Sequence, residues 1–277
     1  LIIVTGDDPC NGLRKLCELR RDLCSEDIYR AACSHFRYNT VEIRDAFLAT
    51  RPARIREAAA ANRWRVCFRQ LCARSKLDDF VLNDAIDYAC ENNMTHPTYG
   101  HISYWDVSEV TDMRGAFLDK HEFNANITLW DVSNVTKMSY MFNDAHDFNQ
   151  PLEWDVSRVE NMTSMFDGAH AFNWPLRWNV SNVTKMQSMF NDAYAFNQPL
   201  DWNVSSVKDM CFMFDKARAF NQPLDWDVSQ VSDMGWMFAR ATDFNQPIDL
   251  LFIKGPPNPA TDTRNMFHNS GQTDMPA

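Results

Sequence analysis

Trp105, Trp130, Trp154, Trp178, Trp202 and Trp226 follow one another at intervals of 25, 24, 24, 24 and 24 residues. Met113, Met138, Met162, Met186, Met210 and Met234 keep step with them, as do Phe117, Phe142, Phe166, Phe190, Phe214 and Phe238. A second phenylalanine column, from Phe123 through Phe148, Phe172, Phe196 and Phe220 to Phe244, is always followed by Asn. The unit reads W-[DN]-V-S-x-V-x-x-M-x-x-[MA]-F-x-x-x-x-x-F-N, most often continued as Q-P-L. One turn of such a repeat cannot bury its own apolar residues, whereas a stack of turns gives each Phe a Phe on either side.

A period of 24–25 residues is too short for two packed helices and suits a strand with a short helix or turn. The expected fold is therefore an α+β repeat, a short leucine-rich-repeat-like solenoid of six to seven turns spanning residues 99–249. A partial copy and tail follow over 250–277, with Met266 and Phe267 in "TRNMFHNS". The Asn after each second Phe is expected to face inward at a corner, satisfying backbone groups and bonding to its neighbours in the stack. Pro two residues later fixes the bend. Asp or Asn after each Trp, with Ser two residues on, suits turn capping. Asp and Asn interchange freely in that column, which a charge-counted calcium site would not tolerate.

Residues 1–98 follow other rules and read as a small all-helical domain. Asp8–Pro9, Ser25 and Thr40 are helix starts, and Pro52 forces a break. Ser75 and Asp78 have capping-box spacing ahead of a segment that places Phe80, Leu82, Ala85, Ile86 and Ala89 on one face. This part carries 15 Lys/Arg and 14 Asp/Glu, including a basic run from Arg44 to Lys76, while the remainder carries 12 and 23. The acidic remainder would repel nucleic acid and anionic membranes and favour basic protein partners. Seven of the eight cysteines precede residue 91. An odd number at helical spacing, without a CxxC pair, points to buried thiols and a reducing, intracellular compartment, with the cell surface as the alternative.

Nothing in the chain has the spacing of a catalytic motif. There is no HExxH, nucleophile elbow or Gly-rich phosphate loop, and of the seven histidines only His146 and His170 are read as sharing a repeat phase. The expectation is a non-enzyme without cofactor or metal.

The letters "WDVSNVTKMSYMFNDAHDFNQPL" at Trp130–Leu152 closely resemble the BspA-like leucine-rich repeat, the surface-protein repeat also typical of mycoplasma lipoproteins. The resemblance covers residues 100–249, and to about 270 with the partial copy. The lead-in "YGHISYWDVSEVTDM" resembles versions from algae and other protists. It implies a right-handed solenoid used for recognition or adhesion. A second resemblance lies at residues 7–36, where "DDPCNGLRKLCELRRDLCSEDIYRAACSHF" is similar to the latter part of an F-box. Tyr29–Arg30 stands there in place of the usual Trp–Arg, and the Leu-Pro opening is missing. That resemblance implies recruitment of a Skp-type adaptor through residues 9–36; otherwise the helices cap the stack.

The expected function is thus a protein–protein interaction or scaffold module, a structural subunit of a larger assembly. An F-box-type substrate receptor of a ubiquitin ligase is the first alternative and a cell-surface adhesin the second. Positions that vary between copies should face solvent. Five aromatics sit where the repeat does not ask for one, and these are the candidate partner-binding residues: Tyr140, Trp174, Tyr194, Phe212 and Trp236.

Overall fold

The computed structural model describes residues 76–247 and 257–272, all within one compact unit, Arg74–Ala277. The F-box-like segment 7–36, the helices expected upstream of Lys76 and nearly all of the basic run lie outside the described residues. Helix α1, Leu82–Glu91, opens the described region. Leu82, Ala85, Ile86 and Ala89 are buried as their spacing predicts, and join the same apolar core as the repeats. Phe80 is not on that face: it is 92% exposed. The helix begins only at Leu82, and Asp78 Oδ1 accepts the N–H groups of Phe80 and Val81, holding them in a turn ahead of it. Strands β1 (Thr95–His96) and β2 (Gly100–His101) pair antiparallel, and a 3-10 turn at Ile102–Tyr104 leads into Trp105.

From Trp105 onward the repeats lie rung on rung. Single parallel bridges connect Asp112 to Lys137, then Asn161, Lys185, Asp209, Asp233 and Asp262. We number the rungs 1 to 7 by the residue after each bridge position, Met113, Met138, Met162, Met186, Met210, Met234 and Thr263. Among the described residues no repeat contains a strand or an α-helix; each is made of consecutive tight turns.

The backbone explains this. In rung 1 the N–H groups of Met113, Gly115, Phe117 and Asp119 donate to carbonyls of rung 2, those of Lys137, Ser139, Met141 and Asn143. The intervening amides stay local: Ala116 donates to Met113 O, Leu118 to Gly115 O and Lys120 to Phe117 O. Every second amide is spent within the rung, so a regular strand ladder cannot form, yet no donor is stranded. The pattern needs a positive φ at every fourth residue, as the third position of a type II turn does. Two left-handed columns result, Gly115, Tyr140, Ser164, Ser188, Phe212, Trp236 and Asn265 (φ 52 to 62°), and Asp119, Asp144, Gly168, Asp192, Lys216, Arg240 and Asn269 (φ 54 to 70°). A non-glycine residue there costs ~1–2 kcal/mol, offset by the two sets of hydrogen bonds.

The core is a pair of phenylalanine ladders. Rings from Phe117 to Phe238 stack on the next rung at 5.2–5.6 Å, nearly parallel. The second column, Phe123 to Phe244, stacks at 5.8–6.0 Å. The indole N–H of Trp154, Trp178, Trp202 and Trp226 each donates to a carbonyl of the preceding rung, at Ile127, Leu152, Leu176 and Leu200. Each Trp thus seals a buried backbone acceptor as well as filling space. Asp or Asn after Trp accepts the N–H of the Ser two residues on, as Asp106 does from Ser108 and Asn203 from Ser205.

The asparagine column departs from expectation. Asn124, Asn149 and Asn173 are exposed and Asn197 half-buried, so the amides line the outside of the corner. Each Oδ1 accepts the backbone N–H of the next Asn, from Asn149 on Asn124 to Asn245 on Asn221. The inner positions are already filled by Phe, which leaves the amides to bond along the surface.

Candidate functional site

In rungs 2 to 6, counting the residue after the bridge as 0, residues 0, 3, 4 and 7 are all buried, and residues 1, 2, 5 and 6 form the other side, where Asp215 and Ala239 are also buried. In rung 1 the outward set is Arg114, Gly115, Leu118 and Asp119. Both left-handed columns therefore belong to one outer face, and their side chains are the ones the core does not constrain. Four positions of the variable pair correct the expectation that all of them face solvent. Ser139, Ser164, Cys211 and Gly235 are buried.

Phe212 and Trp236, on rungs 5 and 6, stack at 6.1 Å with an angle of 10°. They line a cleft of about 290 Å³ with Cys211, Asp233, Asp262 and Arg264. Tyr140 lies in the same column on rung 2, 45% exposed, with Ser164 and Ser188 between it and Phe212. A second cleft of about 520 Å³ opens beside Tyr140, over Gly115 and Leu118. A Cβ on Gly115 would meet only Leu118, at 3.7 Å, so the missing side chain leaves open space there.

The other two candidates lie elsewhere. Trp174 stands at the Asn corner, where Gln150, Gln198, Gln222 and Gln246 each reach back to the preceding Asn. Its indole N–H donates to Asn149 O at 2.9 Å and so replaces the Gln donor. Tyr194 belongs to a row that sequence reading broke into pieces. His121, His146, His170 and Tyr194 stack in succession at 4.2–4.5 Å, and the Arg218 guanidinium lies 4.4 Å over the Tyr194 ring. His121 is in phase once the first interval is taken as 25 residues, and that longer interval was the signal available. His170 is held below the usual imidazole range by burial and by His146.

Charges on the outer face are arranged by rung. Asp119, Asp144 and Asp192 occupy the second left-handed column on rungs 1, 2 and 4, and Lys216 and Arg240 take it over on rungs 5 and 6. Lys216 pairs with Asp192 at 2.5 Å, and Arg240 binds Asp215, whose side chain is buried. Burial pushes Asp167 up to about 6, against hydrogen bonds from Asn191 and Ser164. The bridge column opens on Asp112, carries Lys137 and Lys185 with Asn161 between them, and ends on Asp209, Asp233 and Asp262. Asp209, Cys211 and Asp233 bring one ligand-type atom each within 4.8 Å of one another. Burial and the hydrogen bond to Asp209 raise the Cys211 thiol, which keeps it protonated and poorly suited to bind a cation as thiolate.

The profile of a family described as "Mycoplasma protein of unknown function, DUF285" matches residues 87–201 and 176–276. The chain belongs to this family. The match takes in the second half of α1 and all seven rungs and starts well after the F-box-like segment. No curated protein and no solved structure matches the chain. Among the described residues no helix is long and apolar enough to cross a membrane.

Proposed function

We propose that the chain is a non-catalytic interaction module, a short right-handed solenoid of the BspA-like leucine-rich type that docks a protein through its outer face of turns. The observation that carries this reading is the division of labour within each rung. Core and ladder positions repeat, while the outward positions differ and place Phe212 against Trp236 in a cleft edged by Asp233 and Asp262. Large aromatics held by stacking lose little freedom on binding and form effective anchors. The acidic edge favours a basic partner. In this reading the protein works as a structural subunit of a larger assembly.

The test is chemical cross-linking of the tagged full chain in its native extract, read by mass spectrometry. Cross-links to a different protein should map to the outer face and vanish in a Phe212→Ser/Trp236→Ser variant whose Tm is within about 3 °C of the parent. Cross-links that persist in the variant would remove this face from the proposal.

A further inference from the structure

The outward residues of rungs 1 to 6 are matched in pairs about the middle of the stack. We infer that this face binds a second copy of the same chain, through a twofold axis that lies in the face between rungs 3 and 4. The inference rests on the interaction reading above only in taking the same outer face as the contact surface. Such an axis turns the stack end for end while keeping each column opposite itself, so rung 1 meets rung 6, rung 2 meets rung 5 and rung 3 meets rung 4. Interfaces of this kind must be self-complementary, each patch fitting its own image.

Shape agrees first. In the first left-handed column Trp236 comes opposite Gly115, where the missing side chain leaves the cleft of about 520 Å³. Phe212 comes opposite the exposed Tyr140 ring. Large meets empty and ring meets ring.

Charge agrees second. In the other left-handed column Arg240 comes opposite Asp119 and Lys216 opposite Asp144. Lys216 and Arg240 already hold Asp192 and Asp215 within the chain, but an ammonium has three donors and a guanidinium five, so each can take a further acceptor. One column inward, Asn191 comes opposite Asp167, an amide facing a carboxylate. At the bridge edge Lys137 comes opposite Asp209, and the acidic Asp112 and Asp233 meet with Arg114 beside them, itself paired to Asp112. A twofold axis along the first left-handed column would instead set Trp236 against Trp236.

Six rungs make a small face, so the pairing belongs to the weak class of interfaces, with Kd on the order of 10 µM. Sedimentation of the full chain over a concentration series should show a monomer–dimer equilibrium. Gly115→Trp fills the notch and Trp236→Gly removes the knob, and each should weaken association by about tenfold or more. Tyr140 already adopts a positive φ in the same column, so a tryptophan at 115 is compatible with the fold. The double variant, Gly115→Trp with Trp236→Gly, exchanges knob and notch across the axis and should restore the dimer. Tyr140→Glu, an exposed change that leaves folding alone, should also weaken it. A chain that stays monomeric to about 200 µM, or a double variant as weak as the singles, would overturn the pairing. Neither result touches the cross-linking test above, which reads capture of a different protein.

Discussion

The carboxylate of Asp144 lies where a side chain on Gly168 would begin: a Cβ there would sit 2.3 Å from Asp144 Oδ1. Other rungs carry Asp, Lys, Arg or Asn at this left-handed position, so φ alone does not demand glycine at 168. Its neighbour does. Gly168→Ala is expected to cost about 2 kcal/mol in urea denaturation. With Asp144→Ala in the background the cost should fall to about 1 kcal/mol, and an additive double-mutant cycle would refute the contact.

Phe190 is stacked between Phe166 and Phe214 and against Phe196. Truncating it empties the middle of the first ladder and takes a neighbour from Phe196 in the second. Phe190→Ala should lower unfolding free energy by about 3–5 kcal/mol, measured by the shift in denaturant midpoint.

Trp202→Phe deletes the N–H that Leu176 O accepts at 3.0 Å, together with part of the buried indole. The buried carbonyl is left without that donor, and a loss of about 1–3 kcal/mol is expected. A loss below about 0.5 kcal/mol would mean that another donor takes over the site.

The raised Asp167 predicts a pH dependence of defined sign. With a folded value of about 6 against an ordinary 3.8, the folded chain holds the proton more tightly than the unfolded one. Its contribution is therefore most favourable below pH 4 and is lost as pH rises from there through about 6. Asp167→Asn removes the charge and should raise Tm at pH 7.5 by about 3 °C. Near pH 4 the same substitution should change Tm little. Equal gains at both pH values would exclude Asp167 as the cause.

Trp174→Gln restores the letter the repeat uses elsewhere. Because a glutamine amide reaches the same preceding Asn in other rungs, stability should change by less than about 0.5 kcal/mol. Partner cross-linking should also be unaffected, since the residue lies off the outer face.

The period, the two phenylalanine columns and the Asp–Ser turns could be read from the letters because each position performs one task in every copy. What forms between the columns could not. The letters M-x-x-M-F look like a short strand or helix, and only the alternation of local and inter-rung amides shows why the segment is a run of turns. Positive φ is invisible when Tyr140, Phe212 and Trp236 stand where glycine would be expected. The letters show that the asparagines form a ladder but not on which side, since a polar side chain does not announce whether the neighbouring Phe has taken the interior. Of the five aromatic candidates, three share a column because they share a phase. Trp174 and Tyr194 were grouped with them for being unusual, and being unusual has no direction in space.

The amide alternation also makes one end of a rung interchangeable with the same end of any other. A whole unit could be duplicated or lost in the course of descent and every row, phenylalanine, tryptophan and asparagine, would close again over the join. The paired face lacks this freedom. One added unit would shift the twofold centre by half a rung and bring Trp236 against a side chain instead of the space over Gly115. Copy number is neutral for the fold and constrained by the dimer.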